Sequence, residues 1–367
     1  MSLLKELYSR AFYNQIGEVF ASIVPGFDKK AFIKKIYAPG FETKELKERM
    51  RHTSVVLHQF LPANFAKAAK VLKKAIVSFR KLNLGEDKLE YMFLPDYIET
   101  YGIDDYATSV EALEFTTQFV SCEFAVRPFL LKYTEAMIAQ MQQWANHENH
   151  KVRRLASEGM RPRLPWGLAV PALKKNPQEV LVVLEKLKND PSEWVRKSVA
   201  NCLNDLAKDH PQLAIKTAKA WLGLSKETNA IVKHGCRTLL KQGNAEVLGL
   251  FNLGDNTNIK LLSYNVSTDR VRIGEDLKFT VSLHNKHDRP LIVRLEYGIY
   301  YLRKNGTHSK KVFKISEREF KAGEKATIMR KQSFKMITTR TYYPGLHKVS
   351  IIINGRERKT EHFEVRS

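Results

Sequence analysis

The segment Glu193-Trp-Val-Arg-Lys-Ser-Val-Ala200 decides the fold of the first 255 residues, because related segments lie on either side of it. An earlier copy is His150-Lys-Val-Arg-Arg-Leu-Ala-Ser157, and a looser later copy is Asn229-Ala-Ile-Val-Lys-His-Gly-Cys236. The valines of the three copies are 43 and 37 residues apart. Such spacing is typical of HEAT repeats, in which helix pairs stack into a solenoid. The sequence therefore predicts a HEAT-like α-solenoid.

Each copy places its apolar residues at helical spacing and leaves a polar stripe on the opposite side. The predicted buried faces consist of Val152, Leu155, Ala156 and Gly159 in the first copy, Val195, Val199, Cys202 and Leu206 in the second, and Val232, Cys236 and Leu239 in the third. Asn201 and Asn204 are predicted on the polar side. Stacked repeats would align Arg154, Lys197 and His234 in a column. A basic column suits a phosphate backbone, although an ordinary solvated face would show the same pattern.

The last part of the chain has the pattern of strands. Between residues 277 and 283, apolar and polar side chains alternate, as in a half-buried strand. Asn305-Gly306 and Asn354-Gly355 predict tight hairpin turns. Several short strands over about 110 residues predict a small immunoglobulin-like β-sandwich.

The change from helix to strand falls in a turn-rich segment, residues 252–258. We therefore expect a multidomain protein, α then β, with a HEAT-like helical repeat domain over 1–255 and an immunoglobulin-like β-sandwich domain over 256–367. The smaller domain holds 24 Lys and Arg against 11 Asp and Glu, a net charge of +13, and the larger domain has +9. We expect the small domain either to grip the same polyanion as the solenoid or to bind another protein.

The composition favours a polyanionic partner. The 367 residues contain 61 Lys and Arg against 39 Asp and Glu, a formal net charge of +22. This balance points to nucleic acid or to an anionic membrane surface. Three cysteines do not make a disulfide framework, and no apolar run approaches the length of a membrane span. We expect a cytoplasmic, monomeric protein.

Glu158 stands out on the polar stripe. It follows Arg154 by four residues near the end of its helix, where the helix dipole disfavours an acid, so local helix stability explains it poorly. The segment that follows, Gly159-Met-Arg-Pro-Arg-Leu-Pro-Trp166, is stiffened by prolines and charged by two arginines. Its last residue, Trp166, either stacks on a nucleobase or sugar, or pins the loop to the core.

Two further acids have both a structural and a functional interpretation. Glu123 lies in the apolar segment 119–126, predicted helical, where it either pairs with Arg127 or faces a site. Asp205 lies at the border of a buried helix face, as a packing acceptor or as support for a site. No P-loop, dinucleotide-binding glycine motif or Cys-x-x-Cys pair occurs, and the segment 147–150 lacks a third metal ligand.

Three segments carry a resemblance to a known family. They are residues 152–166, 194–211 and 49–62, of which Arg161-Pro-Arg-Leu-Pro-Trp166 is the most specific. There the chain resembles the AlkC family of bacterial alkylation-repair DNA glycosylases. Helical repeats followed by a small immunoglobulin-like domain are similar to AlkC rather than to the shorter AlkD, which lacks that domain.

The resemblance implies excision of cationic N-alkylated bases, such as 3-methyladenine and 3-methylcytosine, from double-stranded alkylated DNA. It also implies a lesion that is not drawn into a deep pocket. Such a base is already positively charged and leaves without a general acid. The barrier is then charge development at the sugar C1′, which a nearby carboxylate stabilises. No metal or organic cofactor is needed.

On this basis we expect Glu158 to stabilise the oxocarbenium-like sugar, with Trp166 against the deoxyribose or lesion. Glu123 and Asp205 would complete an acidic cluster. The residues expected to bind DNA are Arg153, Arg154, Arg161, Arg163, Lys197, His234 and Arg237.

Two other functions compete with this one. A non-catalytic HEAT-repeat binder of damaged or branched DNA would use the same basic column. A basic adaptor on an anionic membrane surface is the weaker alternative, because the Arg161–Trp166 segment has no role in it.

Overall fold

The computed structural model describes residues 4–254, 258–337 and 340–367. Helices precede strands along the chain, which confirms the predicted fold class. The helices are α1 (Arg10–Ile23), α2 (Lys29–Ile36), α3 (Leu46–His58), α4 (Phe65–Lys81), α5 (Phe93–Tyr101), α6 (Tyr106–Thr117), α7 (Val126–Lys132), α8 (Thr134–Trp144), α9 (His150–Gly159), α10 (Pro171–Lys175), α11 (Pro177–Leu187), α12 (Glu193–Asp209), α13 (Pro211–Trp221), α14 (Lys226–Gly235), α15 (Arg237–Lys241) and α16 (Ala245–Leu250). Short 3₁₀ helices span Leu4–Leu7 and Leu89–Met92.

Many helices begin at a side chain that accepts a hydrogen bond from a free amide of the first turn, which stabilises the helix start. These N-caps include Ser9, Asp28, Asn64, Asp105, Asn149 and Asn244. In the described part of the chain, no helix is both long and apolar enough to cross a membrane.

The repeat helices pack as the sequence predicts. Helix α9 packs on α12, and α12 packs on α14. All residues of the three predicted buried faces are buried. Two details differ. Asn204, predicted on the polar side, is buried among packed helices. The third repeat helix breaks at Cys236, after Gly235, where α14 approaches α12 so closely that a Cβ would lie 2.6 Å from the Leu203 side chain.

The strands are β1 (Ile259–Val266), β2 (Arg270–Arg272), β3 (Asp276–Asn285), β4 (Leu291–Leu302), β5 (His308–Phe320), β6 (Lys325–Ser333), β7 (Gly345–Ile353) and β8 (Arg356–Arg366). One sheet has the order β1-β3-β6, and the other has the order β2-β8-β7-β4-β5. Only β2 and β8 pair in parallel among the described strands. The predicted turns at Asn305-Gly306 and Asn354-Gly355 join antiparallel neighbours, and the alternating residues of β3 point into the sandwich core.

The chain divides into two compact units. One comprises residues 1–214 and 221–235, and the other comprises residues 215–220 and 236–367. Helices α15 and α16 thus belong with the strands, and a Cβ on Gly243 would lie only 2.5 Å from the carbonyl oxygen of Gly355. The predicted domain boundary falls on residues 255–257, which lie outside the described residues, and it stays a prediction.

Candidate active site

Glu158 lies in the last turn of α9, and the packing of this helix fixes its direction. The Oδ1 atom of Asn149 accepts a hydrogen bond from the Lys151 amide at 2.8 Å and caps the helix start. Near the other end, Ser157 Oγ donates to Ser198 Oγ of α12 at 2.7 Å. The start of α9 is therefore capped and its end is hydrogen-bonded to α12. Glu158 directly follows Ser157, the residue that makes this bond to α12.

Arg161 lies between two carboxylates, those of Glu158 and Asp205. Its Nη1 donates to Glu158 Oε1 at 2.7 Å, and its Nε donates to Asp205 Oδ2 at 2.8 Å. Lys208 Nζ donates to the other Asp205 oxygen at 3.1 Å. The exposed fractions are only 5% for Glu158, 0% for Asp205 and 8% for Arg161. Burial opposes the charge of Arg161, but its hydrogen bond to Asp205 and the charge of Glu158 raise its pKa overall, so the guanidinium stays charged.

Glu123 joins the same network through Arg154. Arg154 Nη1 donates to Glu123 Oε2 at 2.8 Å and to Ser121 Oγ at 3.1 Å. Arg154 Nη2 lies 3.9 Å from Glu158 Oε2. One chain of ion pairs thus connects three acids, Glu123, Glu158 and Asp205, which we call the carboxylate cluster.

The local structure around Glu123 differs from the prediction. The segment predicted to be helical is a turn between α6 and α7, and α7 begins only at Val126. Within this turn, Ser121 Oγ donates to Glu123 Oε2 at 2.7 Å, a local bond that competes with helix formation. The pair between Glu123 and Arg127 that we considered from the sequence does not form, because Glu123 pairs with Arg154.

Arg127 instead holds the loop that follows α9. Its Nη1 donates to the carbonyl oxygens of Gly159 at 2.9 Å and Arg161 at 3.0 Å, and its Nε donates to that of Leu168. Arg127 is buried, and burial lowers its pKa to about 10. One buried cation therefore fixes both ends of the loop that carries Arg161 and Trp166. The sequence does not reveal this role, since its one signal is an arginine in an apolar segment.

Trp166 projects from this loop and is 65% exposed, which excludes the interpretation as a core residue. Its backbone has a φ of 64°, in the left-handed region that residues other than glycine seldom adopt. Lys47 Nζ donates to the Trp166 carbonyl oxygen at 2.6 Å and helps to hold this conformation. The loop thus presents a large aromatic face to solvent.

The expected DNA-binding arginines fall into different environments. Arg153 makes two hydrogen bonds to Asp190, at 2.6 and 3.1 Å. Arg161 is buried in the carboxylate cluster, and its guanidinium does not reach solvent. This differs from the expectation that Arg161 contacts a DNA phosphate. Arg163 also makes two hydrogen bonds, to Asp209 at 2.9 and 2.5 Å, but its side chain is 44% exposed.

The other expected DNA-binding residues are more accessible. Lys197 and His234 are exposed and line a groove of about 440 Å³ between α12 and α14. His234 Nε2 lies 3.0 Å from Asn201 Oδ1. Arg237, in α15, is partly exposed and belongs to the other compact unit.

Trp194 is a residue whose role the sequence did not show. Its ring lies 4.7 Å from the Arg154 guanidinium, a cation–π contact that supports the orientation of Arg154 beside Glu123. The tryptophan occurs in the repeat segment itself, so its signal is hidden in the repeat pattern. Among the described residues, no group of three or more His, Cys, Asp or Glu side chains is arranged to hold a metal ion.

Comparisons with known proteins agree with this architecture. A family model described as "DNA alkylation repair enzyme" matches residues 110–227, which include α9, the loop that follows it, and α12. A second model, "Uncharacterised protein YhaZ, C-terminal Ig-like domain", matches residues 260–367. The fold and these matches define a DNA alkylation repair protein with helical repeats and an Ig-like C-terminal segment.

Two proteins that are similar to this chain over its full length identify the family. Uncharacterized protein YhaZ of Bacillus subtilis (strain 168) is 42% identical over 365 residues, which cover 100% of both chains. The alkylpurine DNA glycosylase AlkC of Pseudomonas fluorescens, solved bound to DNA containing an abasic site analog, is 35% identical, with a TM-score of 0.93 and full coverage of both chains. The chain belongs to the AlkC family of alkylpurine DNA glycosylases.

Proposed function

We propose that this protein excises cationic N-alkylated bases, such as 3-methyladenine and 3-methylcytosine, from double-stranded DNA. The carboxylate cluster carries the proposal, because it fixes a carboxylate that can face a developing positive charge. An N3-alkylated base already carries positive charge and leaves as a neutral molecule without a general acid. The remaining barrier is the oxocarbenium-like charge at C1′, which a preorganised carboxylate stabilises.

Glu158 is the residue we assign to C1′. Its Oε1 is held by Arg161, whereas its Oε2 accepts no hydrogen bond from any described residue and lies 3.9 Å from Arg154 Nη2. Oε2 can therefore face the sugar or orient the attacking water. Asp205 accepts hydrogen bonds from Arg161 and Lys208 on its two oxygens, so we assign it to positioning Arg161 and, through it, Glu158.

Trp166 would pack against the deoxyribose or the lesion. Its exposed indole can exclude bulk water from the carboxylate side, and it attracts a cationic base through its ring face. The loop is held at both ends by Arg127, which keeps this ring in place before DNA arrives.

DNA is the proposed partner, as it is in the complex of the Pseudomonas fluorescens relative. The exposed residues Arg163, Lys197 and His234, and the partly exposed Arg154 and Arg237, are the proposed phosphate contacts. We assign the buried Arg161 and the Asp190-paired Arg153 to holding the protein structure instead. Binding that rests on phosphate contacts weakens steeply as salt rises.

The test incubates the purified protein with methylated duplex DNA and measures released bases by mass spectrometry. We expect wild-type protein to release 3-methyladenine or 3-methylcytosine and to leave abasic sites. Glu158→Gln should lower the single-turnover rate by about 10²–10³-fold, the usual cost of removing one group that stabilises transition-state charge. Its DNA affinity should stay close to that of wild type.

Glu135→Gln is the matched control, because it removes the same charge at an exposed position of α8. A wild-type rate in Glu158→Gln would refute the role assigned to Glu158. Tight DNA binding without base release by wild-type protein would favour the non-catalytic binder of damaged or branched DNA.

A further inference from the structure

A second groove, of about 580 Å³, lies between α3, α5 and the loop residues 166–168. We call it the α3–α5 groove. None of the three acids of the carboxylate cluster is among its lining residues. Its lining residues include Lys47, Arg51, Asp96, Glu99, Phe124 and Trp166. Its volume falls in the range of pockets that bind small molecules.

Two carboxyl groups of α5, those of Asp96 and Glu99, lie in this groove and share one arginine. Arg51 Nε donates to Asp96 Oδ1 at 3.0 Å, and Arg51 Nη2 donates to Glu99 Oε1 at 2.5 Å. The Asp96 side chain is almost fully buried, and its Oδ2 makes no hydrogen bond with any described residue, although it lies within 3.0 Å of Arg51 Nε. Asp96 Oδ2 is thus a buried acceptor without a hydrogen-bond donor among the described residues.

The charge state of Glu99 is adjustable. Burial, followed by the negative charge of Asp96, raises the pKa of Glu99 to about 7, and the positive charge of Arg51 offsets only part of this. Near neutral pH, Glu99 therefore exists both as a carboxylate and as a carboxylic acid. The acid offers one donor and one acceptor, whereas the carboxylate offers acceptors only.

Aromatic side chains lie beside these carboxyl groups. Trp166 lines the groove with its exposed indole, and Phe124 lines it as well. Lys47 Nζ lies 4.7 Å from the centre of the Phe124 ring and donates to the Trp166 carbonyl, so one ammonium group holds both residues. Stacking on such a surface accepts any planar heterocycle.

The groove is also connected to the carboxylate cluster along the chain. Phe124 directly follows Glu123, and Trp166 ends the loop segment that contains Arg161. Arg127 binds the backbone of this loop at Arg161 and at Leu168, a lining residue of the groove. A base that leaves the sugar beside Trp166 would find the groove on the same loop.

We infer that the α3–α5 groove binds the excised base, as a neutral adenine-type heterocycle stacked on Trp166 with its amine edge on Glu99. This inference rests on the proposed function. Free 3-methyladenine has an exocyclic amine beside an unsubstituted ring nitrogen, which gives a donor next to an acceptor. Protonated Glu99 matches that edge with two hydrogen bonds. In 3-methylcytosine the methyl group covers the ring nitrogen beside the amine, so the groove should prefer 3-methyladenine.

The test measures the affinity of the full chain for free 3-methyladenine by calorimetry, and measures inhibition of base excision by the same compound. Glu99→Leu should weaken both by about tenfold or more, the effect of losing two hydrogen bonds. Glu99→Gln should retain binding, since its amide also carries a donor and an acceptor. Glu111→Leu, at an exposed position of α6, is the control for a lost carboxylate and should bind as wild type does. Thermal unfolding confirms that each variant is folded.

Saturable binding of 3-methyladenine that Glu99→Leu weakens, and tighter binding than for 3-methylcytosine, would support the inference. Equal affinities for wild type and Glu99→Leu would overturn it. Excision from methylated DNA by a wild-type protein that does not bind the free base would also overturn it, and would leave the proposed function standing. Binding of the free base without any excision would overturn the proposed function instead.

Discussion

The carboxylate cluster and the α3–α5 groove both place buried carboxyl groups around arginine, but they differ in the number of cations. The three acids of the cluster lie within ion-pair distance of three cations, which are Arg154, Arg161 and Lys208. In the groove, Asp96 and Glu99 share Arg51, the one cation within that distance of them among the described residues. Burial, followed by the negative charge of Asp96, raises the pKa of Glu99 to about 7, and the charges of Arg51 and Lys47 offset only part of this rise. A buried acid stays ionised only where enough positive charge lies close to it.

The two sites also differ in how the chain brings the acids together. The acids of the cluster come from a turn and from two helices, so their spacing depends on the packing of α9 against α12. The acids of the groove are three residues apart on α5 and face each other through helix geometry alone. The arrangement of the cluster therefore depends on tertiary packing, whereas that of the two acids in the groove follows from a single helix.

The largest expected effect comes from removing the central cation of the cluster. Arg161→Met keeps an apolar stem but leaves Glu158 and Asp205 buried without their shared partner. We expect the free energy of unfolding at pH 7 to fall by about 3–5 kcal/mol, the usual cost of breaking a buried ion pair. Urea denaturation measures this loss.

Arg163→Met is the matched control for that variant. Arg163 is two residues away on the same loop and also pairs with an aspartate, but its side chain is 44% exposed. An exposed pair contributes at most about 1 kcal/mol. Similar losses in the two variants would show that the cluster is no more than an ordinary surface network.

These two arginines also show what the sequence can and cannot predict about the site. Both occur in one Arg-Pro-Arg string, and nothing local distinguishes the buried one from the exposed one. The difference comes from Asp205, 44 residues further along, which meets Arg161 only after α9 packs on α12. The three acids of the carboxylate cluster stand out in the sequence because each conflicts with its local surroundings. The burial of Arg161 between Glu158 and Asp205 has no such signal, since arginine in a loop normally lies in solvent.

The fold was more predictable than the site, because it depends on periodicity. The buried valines of the repeats and the alternating residues of β3 follow from helical and strand spacing. The two Asn-Gly turns follow from the conformation that short hairpins require. Where a tertiary contact overrides local preference, prediction fails, as in the turn around Glu123 and the buried Asn204. The α3–α5 groove has no local signal, since Asp96 and Glu99 resemble any pair of acids on a helix.

An effect of intermediate size tests the proton exchange of the groove. The pKa of Glu99 is raised in the folded protein, so the folded state binds more protons than the unfolded state between about pH 4.5 and pH 7. Stability from this group therefore falls as pH rises through that window. Glu99→Gln removes the charge that Asp96 repels, and we expect it to stabilise the protein by about 1–3 kcal/mol at pH 8 and by much less at pH 4.

Urea denaturation of both proteins between pH 4 and pH 8 gives the comparison. The charged groups that act on Glu99 are Asp96, Arg51 and Lys47. If the difference in free energy of unfolding between the two proteins does not change with pH, Arg51 and Lys47 together neutralise both acids. The contrast between the two sites would then be lost.

The smallest expected effect concerns Trp166, which lies at the groove and on the loop of the cluster. Its positive φ is unfavourable for any residue with a Cβ, and only part of its ring is buried. We expect Trp166→Gly to leave the free energy of unfolding unchanged or to raise it by up to about 1 kcal/mol, while base excision falls. Asn83→Gly is the control, because Asn83 also has a positive φ, 54°, but asparagine tolerates this conformation. A clear loss of stability in Trp166→Gly would mean that the indole anchors the loop. Unchanged stability with lost excision would mean that the strained conformation is kept for the aromatic face it presents to DNA.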